Sequence, residues 1–389
     1  MMTNAGPRLL VVDDNEDNRY TLTQRLKRQG YTDVTAATNG REALDLLALH
    51  EFDLVLLDVM MPEMNGYEVL DRLKGDVRLR HLPVIMISAV DELESVVRCI
   101  KLGAEDYLAK PFNPVLLNAR VGASLEKKRL RDETASHLAR MEAELESARE
   151  IQLGMVPGEF PPPSAAIEVF GTLLPARQVG GDLFDFFHLE DGTLCLVVAD
   201  VSGKGAPAAL FMAHTNSVIR VAGTLLCARD GERPSPAGII EHVNKELCRV
   251  NSAFMFVTVF FAMLDPKTST LSFCSAGHQM PCVIGASGEV RRVEGPVGIP
   301  LGIEAGFEYE NGEHKLEPGD AIFMYTDGVS EATNVEHCFF SDRRLEDSLK
   351  GLGGATPRAI VDKVVEDVRA FVAEAPQADD IAAMAVRLV

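Results

Sequence analysis

The apolar positions of residues 8–123 fall in short continuous runs, separated by longer stretches where they recur at helical spacing. "RLLVVDD", "DVTAAT", "DLVLLD", "VIMIS" and "DYLAK" are β-branched or continuously apolar, as strands buried on both faces should be. Between them, stretches such as "NEDNRYTLTQRLKRQG" and "NGREALDLLALH" predict amphipathic helices. Five β-α repeats predict an α/β fold, a doubly wound five-stranded parallel sheet with helices on both faces.

The pattern then changes twice. From about Asn113 to Met155 glycine and proline almost stop, which predicts a helical linker over 124–156. Leu138, Met141, Leu145, Ala148 and Gln152 keep a 3-4-3-4 spacing, but Lys127 and Arg131 fall on the same seam. Two readings follow: a solvated connecting helix, or a parallel coiled-coil stalk of a homodimer. "VPGEFPPP" breaks the helix. From Ile167 the chain is strand-rich, with "IEVFGTLL", "TLCLVVAD", "FMFVTVFFAML", "TLSFCSAG", "PCVIG", "DAIFMYTD" and "IAAMAVRLV". Helical stretches near 206–222, 236–250, 342–350 and 356–374 stand apart from the strands, which predicts an α+β layered domain over 157–389.

Composition narrows the chemistry. The chain has 389 residues, enough for two or three domains, and its 58 acidic against 38 basic residues give a net charge of −20. That balance argues against nucleic acid or an anionic membrane as partner. No apolar run approaches the ~20 residues of a membrane span. The seven cysteines (99, 195, 227, 248, 274, 282, 338) form no C-x-x-C pair, as expected for reduced thiols in a cytoplasmic protein.

In parallel sheets functional groups gather at the carboxyl ends of strands. There the first domain places Asp13, Asp14, Asp58, Ser88 and Lys110. Three converging carboxylates repel one another unless a hard cation such as Mg²⁺ lies among them, and a lysine opposite can neutralise a phosphoryl group. Through "VVDDNEDNR", "LLDVMMPEMNGYEVL", "PVIMISA" and "GAEDYLAKPF", residues 7–123 resemble the response-regulator receiver family. The resemblance implies that Asp58 accepts phosphate from a sensor histidine kinase. It also implies Mg²⁺ held by Asp13, Asp14 and Asp58 with the Met60 carbonyl. Ser88 and Lys110 would contact the phosphoryl group, Tyr107 would change rotamer with it, and Lys110–Pro111 would be cis.

The second domain has its own acids at strand edges: Asp182 in "QVGGDLFDFF", Asp200 in "VVADVSGKGAP", Asp327 in "FMYTDGVS", and Asp379 and Asp380 in "QADDIAAMAV". The Ser-Gly-Lys-Gly after Asp200 lacks the spacing of a nucleotide-binding P-loop. Lys204 is left without a role. Together the carboxylates suggest an oxygen-ligand site for Mg²⁺ or Mn²⁺.

Residues 148–389 resemble the SpoIIE-like branch of the metal-dependent PPM phosphatases, which act on phosphoserine and phosphothreonine. "AREIQLGMVP", "PARQVGGDLFDFF", "VVADVSGKGAPAALFMA", "SAGHQMPCVI", "GIPLGI", "LEPGDAIFMYTDGVSEATN" and "ADDIAAMAV" carry the likeness. It implies a β-sandwich flanked by helices and two metal ions bridged by Asp200. Asp182 and the Val201 carbonyl would complete one, Asp327 and Asp379 the other, with Asp379 preferred over Asp380 as the first of its pair. His278 reads as a structural turn histidine rather than a general acid, and Arg177 as an open candidate for binding phosphate. Ile151 and Gln152, where the helix meets the second domain, are candidate switch residues.

The joined halves imply a two-component response regulator with a phosphatase output controlled by phosphorylation at Asp58. The implied substrate is a phosphorylated STAS-domain anti-sigma-factor antagonist. The alternative is a catalytically silent, phosphorylation-gated module that sequesters a regulatory protein.

Overall fold

The computed structural model describes residues 6–89, 93–160, 167–229 and 234–389, with only the backbone of residue 93 and residues 226–229. The chain divides into two compact units between Met141 and Glu142.

The first unit alternates strand and helix: β1 (Arg8–Val12), α1 (Glu16–Arg28), β2 (Asp33–Ala37), α2 (Gly40–Leu49), β3 (Leu54–Asp58), α3 (Gly66–Gly75), β4 (Val84–Ser88), α4 (Leu93–Lys101), β5 (Asp106–Ala109) and α5 (Pro114–Leu153). All five strands are parallel, in the order β2-β1-β3-β4-β5. Successive side chains of a strand point to opposite faces, and both faces are buried. Leu9, Val11, Leu54 and Leu56 pack with Leu22 and Leu26 of α1 and Leu117 and Val121 of α5. Leu10, Val12, Val55 and Leu57 pack with Leu47 of α2, Leu70 of α3 and Cys99 of α4. Asn15, Asn39 and Asn65 cap the first three helices, and Asn65 closes a capping box with Glu68.

The expected helical linker falls mostly within one long helix, because α5 begins at Pro114 and continues without a break to Leu153. Its heptad seam is interrupted for a physical reason. Lys127 and Arg131 both reach Glu105 at the foot of β5, so they serve the first unit. Leu138 and Met141 on the seam are exposed.

The second unit, from Glu142, holds β6 (Ile167–Leu174), β7 (Leu183–His188), β8 (Leu194–Val201), α6 (Ala206–Arg229), α7 (Pro236–Val250), β9 (Val257–Asp265), β10 (Thr270–Ala276), β11 (Cys282–Ile284), β12 (Val290–Arg292), β13 (Val297–Gly298), β14 (Gly312–Lys315), β15 (Ala321–Tyr325), α8 (Asp327–Ser330), α9 (Ser341–Leu349), α10 (Pro357–Val372) and β16 (Ile381–Leu388). One sheet runs β13-β10-β9-β8-β7 with β14 on β10, and the other β12-β11-β15-β16-β6. Their inner faces meet through Leu196, Val198, Phe260 and Phe273 on one side and Val169, Ile322, Met324 and Met384 on the other. Outside the first sheet lie α6 and α7, which contribute Met212, Ile219, Ile240 and Val243. Outside the second lie α9 and α10, with Leu345, Ile360 and Val364. This is the expected β-sandwich flanked by helices.

Four strands, β7 and β12 to β14, escaped the pattern reading. β7 carries a fully buried Asp185 in mid-strand, which breaks its apolar run. The charge is met by Arg220 of α6, whose Nε and Nη2 lie 2.5 Å from the two carboxylate oxygens. The strand expected from Phe254 begins at Val257, leaving Phe254 92% exposed. Of the thiols, Cys99, Cys195, Cys274 and Cys282 are buried, Cys248 is half-buried and Cys338 exposed, while the Cys227 side chain lies outside the described residues.

Candidate functional sites

In the first unit, parallel pairing brings the ends of β1, β3 and β4 and the residue after β5 to one edge. Asp13 is fully buried, Asp58 and Ser88 nearly so, and Asp14 is exposed. The Lys110 ammonium lies 2.8 Å from Asp13 Oδ2 and 2.9 Å from Asp58 Oδ1. Asp13, Asp14 and Asp58 each bring an oxygen within 4.8 Å of the others, and no other acidic, histidine or cysteine trio among the described residues does so. Burial pushes the Asp58 carboxyl up to about 6, with Asp13 and Asp14 adding to the rise against the pull of Lys110. An oxygen-only set with surplus negative charge suits a hard divalent cation.

The backbone holds this arrangement tightly. A Cβ on Gly66 would come within 2.1 Å of the Asp58 carbonyl oxygen, so only glycine fits there. The Lys110–Pro111 peptide is cis, as expected. Lys110 N donates to Ser88 O at 2.8 Å, Tyr107 is buried in β5, and the Met60 side chain is exposed. Sequence reading missed Asn18 and Arg19. Asn18 donates to Asp13 Oδ1, and Arg19 reaches the carbonyls of Asp13 and Asp14. Their signal was the short polar run after the paired acids.

The second unit assembles its acids from both sheets. Asp182 precedes β7 and Asp200 lies near the end of β8, whereas Asp327 follows β15 and Asp379 and Asp380 precede β16. Asp182 is buried. Burial, then the Asp200 charge, push its carboxyl well above the usual range, against a hydrogen bond from Thr326. Asp200 is pushed up to about 7 by burial, then by Asp327, with Asp379 and Asp380 adding to it. Burial, followed by Glu331 and Asp379, also raises Asp327. Asp182 thus feels Asp200 and Asp380, Asp200 feels Asp327, Asp379 and Asp380, and Asp327 feels Asp379. Unlike the trio of the first unit, no three of these carboxylates bring oxygens within 4.8 Å of one another. Carboxylates that repel one another, with no cysteine or imidazole among them, fit Mg²⁺ or Mn²⁺.

Asp379 and Asp380 have different surroundings. Asp380 accepts backbone N–H groups with both oxygens, from Ala176 and Gly181, each at 2.8 Å. Asp379 Oδ2 instead faces the Lys204 ammonium at 2.8 Å. Close approach explains the flanking glycines: a Cβ would fall 2.0 Å from Asp380 Oδ2 at Gly180 and 1.8 Å from the Asp380 carbonyl oxygen at Gly328. At Gly181 it would fall 2.7 Å from the Val201 carbonyl oxygen, which places that carbonyl beside the Asp182 loop.

Gln152 is buried and clasps Gly180, donating from Nε2 to its carbonyl at 2.6 Å and accepting its N–H at 3.1 Å. Its neighbour Ile151 is 63% exposed. Thr326 was not foreseen; it sits at the N-cap of α8 without capping it, its hydroxyl turned to Asp182 instead. His278 is buried between the Thr258 hydroxyl and the Tyr325 carbonyl, and burial lowers it to about 4. Arg177 is exposed. Burial drives the Cys274 and Cys282 thiols up to about 12 and 11, far from thiolate chemistry.

Residues 190–389, more than half of the chain, match the family described as Stage II sporulation protein E (SpoIIE), and residues 9–122 match the response regulator receiver domain. The chain belongs to the SpoIIE family and joins a receiver domain to a PPM-type phosphatase domain. Asp182 lies ahead of the matched segment, whereas Asp200, Asp327 and Asp379 lie within it. Protein IcfG of Synechocystis sp. is 29% identical over 265 residues, which cover 62% of this chain and 41% of that protein. A probable cyclic di-GMP phosphodiesterase of Vibrio cholerae is 41% identical over 124 residues, 32% of this chain and 28% of that protein. The chain thus spans less than half the length of these two relatives. The SiaA-PP2C domain of Pseudomonas aeruginosa shares the fold of the second unit, with a TM-score of 0.56, 24% identity, and coverage of 66% of this chain and all of that one. Among the described residues no helix is long and apolar enough to cross a membrane.

Proposed function

We propose that this chain is a two-component response regulator whose output is metal-dependent hydrolysis of phosphoserine or phosphothreonine in a protein. The observation that carries the reading is the charge coupling among acids from the edges of both sheets: the Asp182, Asp200 and Asp327 carboxyls are raised by burial and by neighbouring charges, Asp200 acting on Asp182, and Asp379 on Asp200 and Asp327. In this reading two Mn²⁺ or Mg²⁺ ions would be held here, with Asp200 in both ligand sets. Asp182 and the Val201 carbonyl complete one site, Asp327 and Asp379 the other, and the two backbone bonds to Asp380 support leaving it outside the ligand set. Bound ions would supply a water of lowered pKa and counter-charge for the phosphate. The protein's own part is positional: Thr326 orients Asp182, Asp380 pins the loop before it, and Gln152 holds Gly180.

In the receiver, Asp58 takes phosphate from a sensor histidine kinase, with Mg²⁺ held by Asp13, Asp14, Asp58 and the Met60 carbonyl. Ser88 and Lys110 meet the phosphoryl group and Tyr107 responds to it. Helix α5 carries the change to Gln152, and its exposed Leu138 and Met141 support pairing with a second copy in a homodimer. We assign the receiver to 1–123, the linker to 124–156 and the phosphatase to 157–389, in a cytoplasmic protein. The substrate is a phosphorylated STAS-domain anti-sigma-factor antagonist. The test assays the full chain on p-nitrophenyl phosphate and on such an antagonist, with Mn²⁺ or chelator, and with or without an acyl-phosphate donor. Mn²⁺-dependent turnover that responds to the donor is expected; binding without turnover in every state would overturn the reading.

A further inference from the structure

Lys204 lies in the loop between β8 and α6, flanked by two glycines with positive φ, Gly203 at 94° and Gly205 at 75°. Neither glycine is crowded, so their conformation alone requires them, and it sets the direction in which Lys204 leaves the loop. The loop is anchored at both ends. Ser202 exchanges two hydrogen bonds with Phe256, from N to its carbonyl and from the Phe256 N–H to Oγ, each at 2.9 Å. Ala209 N bonds to Gly205 O at the first turn of α6.

From this held position the ammonium donates to Asp379 Oδ2 at 2.8 Å and to the Ala378 carbonyl at 2.7 Å. An ammonium has three donors, so one remains. The pair is 40% and 46% exposed, and ion pairs so open to water add little stability. Stability is therefore a poor reason for the arrangement.

Charge supplies a better one. Two divalent ions would only balance Asp182, Asp200, Asp327 and Asp379, leaving nothing over for a phosphate dianion. Among the described residues Lys204 is the cation bonded to that set, and its charge is also felt at Asp327.

We propose that Lys204 is a substrate-binding residue of the phosphatase site, holding a phosphoryl oxygen with the ammonium donor that Asp379 and Ala378 leave over. The inference rests on the phosphatase reading above and deepens it, giving the Ser-Gly-Lys-Gly turn a role at the phosphate.

The test titrates inorganic phosphate into the full-length, Mn²⁺-loaded chain by calorimetry, for the wild type and for Lys204→Ala, Lys204→Arg and Arg177→Ala. Loss of one charge-assisted bond predicts phosphate binding weakened about tenfold in Lys204→Ala and largely kept in Lys204→Arg. Mn²⁺ affinity and the melting temperature should not fall, and KM for the phosphoprotein should rise more than kcat drops. Unchanged phosphate affinity in Lys204→Ala would overturn the inference, as would a loss confined to Arg177→Ala or a matching loss of Mn²⁺ binding. A wild-type chain that neither binds Mn²⁺ nor turns over phosphoprotein overturns the phosphatase reading itself, and does so before any substitution is compared.

Discussion

The Thr326 hydroxyl donates a 2.5 Å hydrogen bond to Asp182 Oδ2 across 144 residues of chain, and accepts the Ala382 N–H at 2.9 Å. Thr326 follows β15 of one sheet, and Asp182 precedes β7 of the other. A single buried hydroxyl therefore ties the two sheets together at the carboxylates. Thr326→Val removes both bonds while keeping the shape, and should cost about 1–3 kcal/mol of stability. Turnover should fall with it, and Thr326→Ser should restore most of both. Chemical denaturation and p-nitrophenyl phosphate kinetics on the three proteins check this; a valine variant as stable and active as wild type would refute it.

Asp200→Asn should abolish Mn²⁺-dependent turnover without unfolding the chain. It also carries a pH signature in chelator. The folded Asp200 titrates near 7 against an ordinary 3.8, so its burial favours the protonated form. The wild type therefore loses stability as pH rises through that window, because the unfolded chain ionises more easily. Asparagine cannot ionise. The variant should accordingly be more stable than wild type near pH 8, with the gap closing on acidification toward pH 5. Thermal melts of both proteins in chelator across that range decide it, and a gap that widens on acidification would count against the burial argument.

Gln152 and its neighbour Ile151 should respond very differently to alanine. Gln152→Ala breaks both bonds to Gly180 and frees the loop that ends at Asp182, at a cost of about 1–3 kcal/mol and a marked fall in kcat. Ile151 is exposed, and Ile151→Ala should change stability by under about 0.5 kcal/mol. Equal effects from the two would remove Gln152 as the residue joining helix to site.

At the receiver edge, Lys110→Ala leaves Asp13 and Asp58 without their shared ammonium. The Asp58 carboxyl, already raised to about 6, should climb further, and labelling by an acyl-phosphate donor should slow. Asp58→Asn should abolish labelling. NMR titration of the carboxyl carbons and a labelling time course test both statements; an Asp58 pKa that fell in Lys110→Ala would contradict them.

Much of the fold was legible because it rests on local rules. Continuous apolar runs such as "LLVV" and "LVLL" could only be buried on both faces, and the β-α alternation then left few topologies. What failed to show depended on distant partners. β7 hid because Asp185 looks like a surface residue until Arg220 arrives from α6. The seam of α5 looked like a poor coiled coil because Glu105, outside the helix, claims Lys127 and Arg131. Thr326 read as an ordinary residue before an acid, since nothing local shows which way its hydroxyl turns.

By itself the sequence determined the two domain types and the acids at the strand ends, because burial periodicity and residue chemistry are properties of neighbouring positions. Only the tertiary structure decided how those acids differ. Asp379 and Asp380 are equivalent as letters, yet one is consumed by two backbone N–H groups of the Asp182 loop and the other faces Lys204. The electrostatics of a carboxylate depend on burial and on charges a few ångströms away. Those distances exist only once the two sheets have packed.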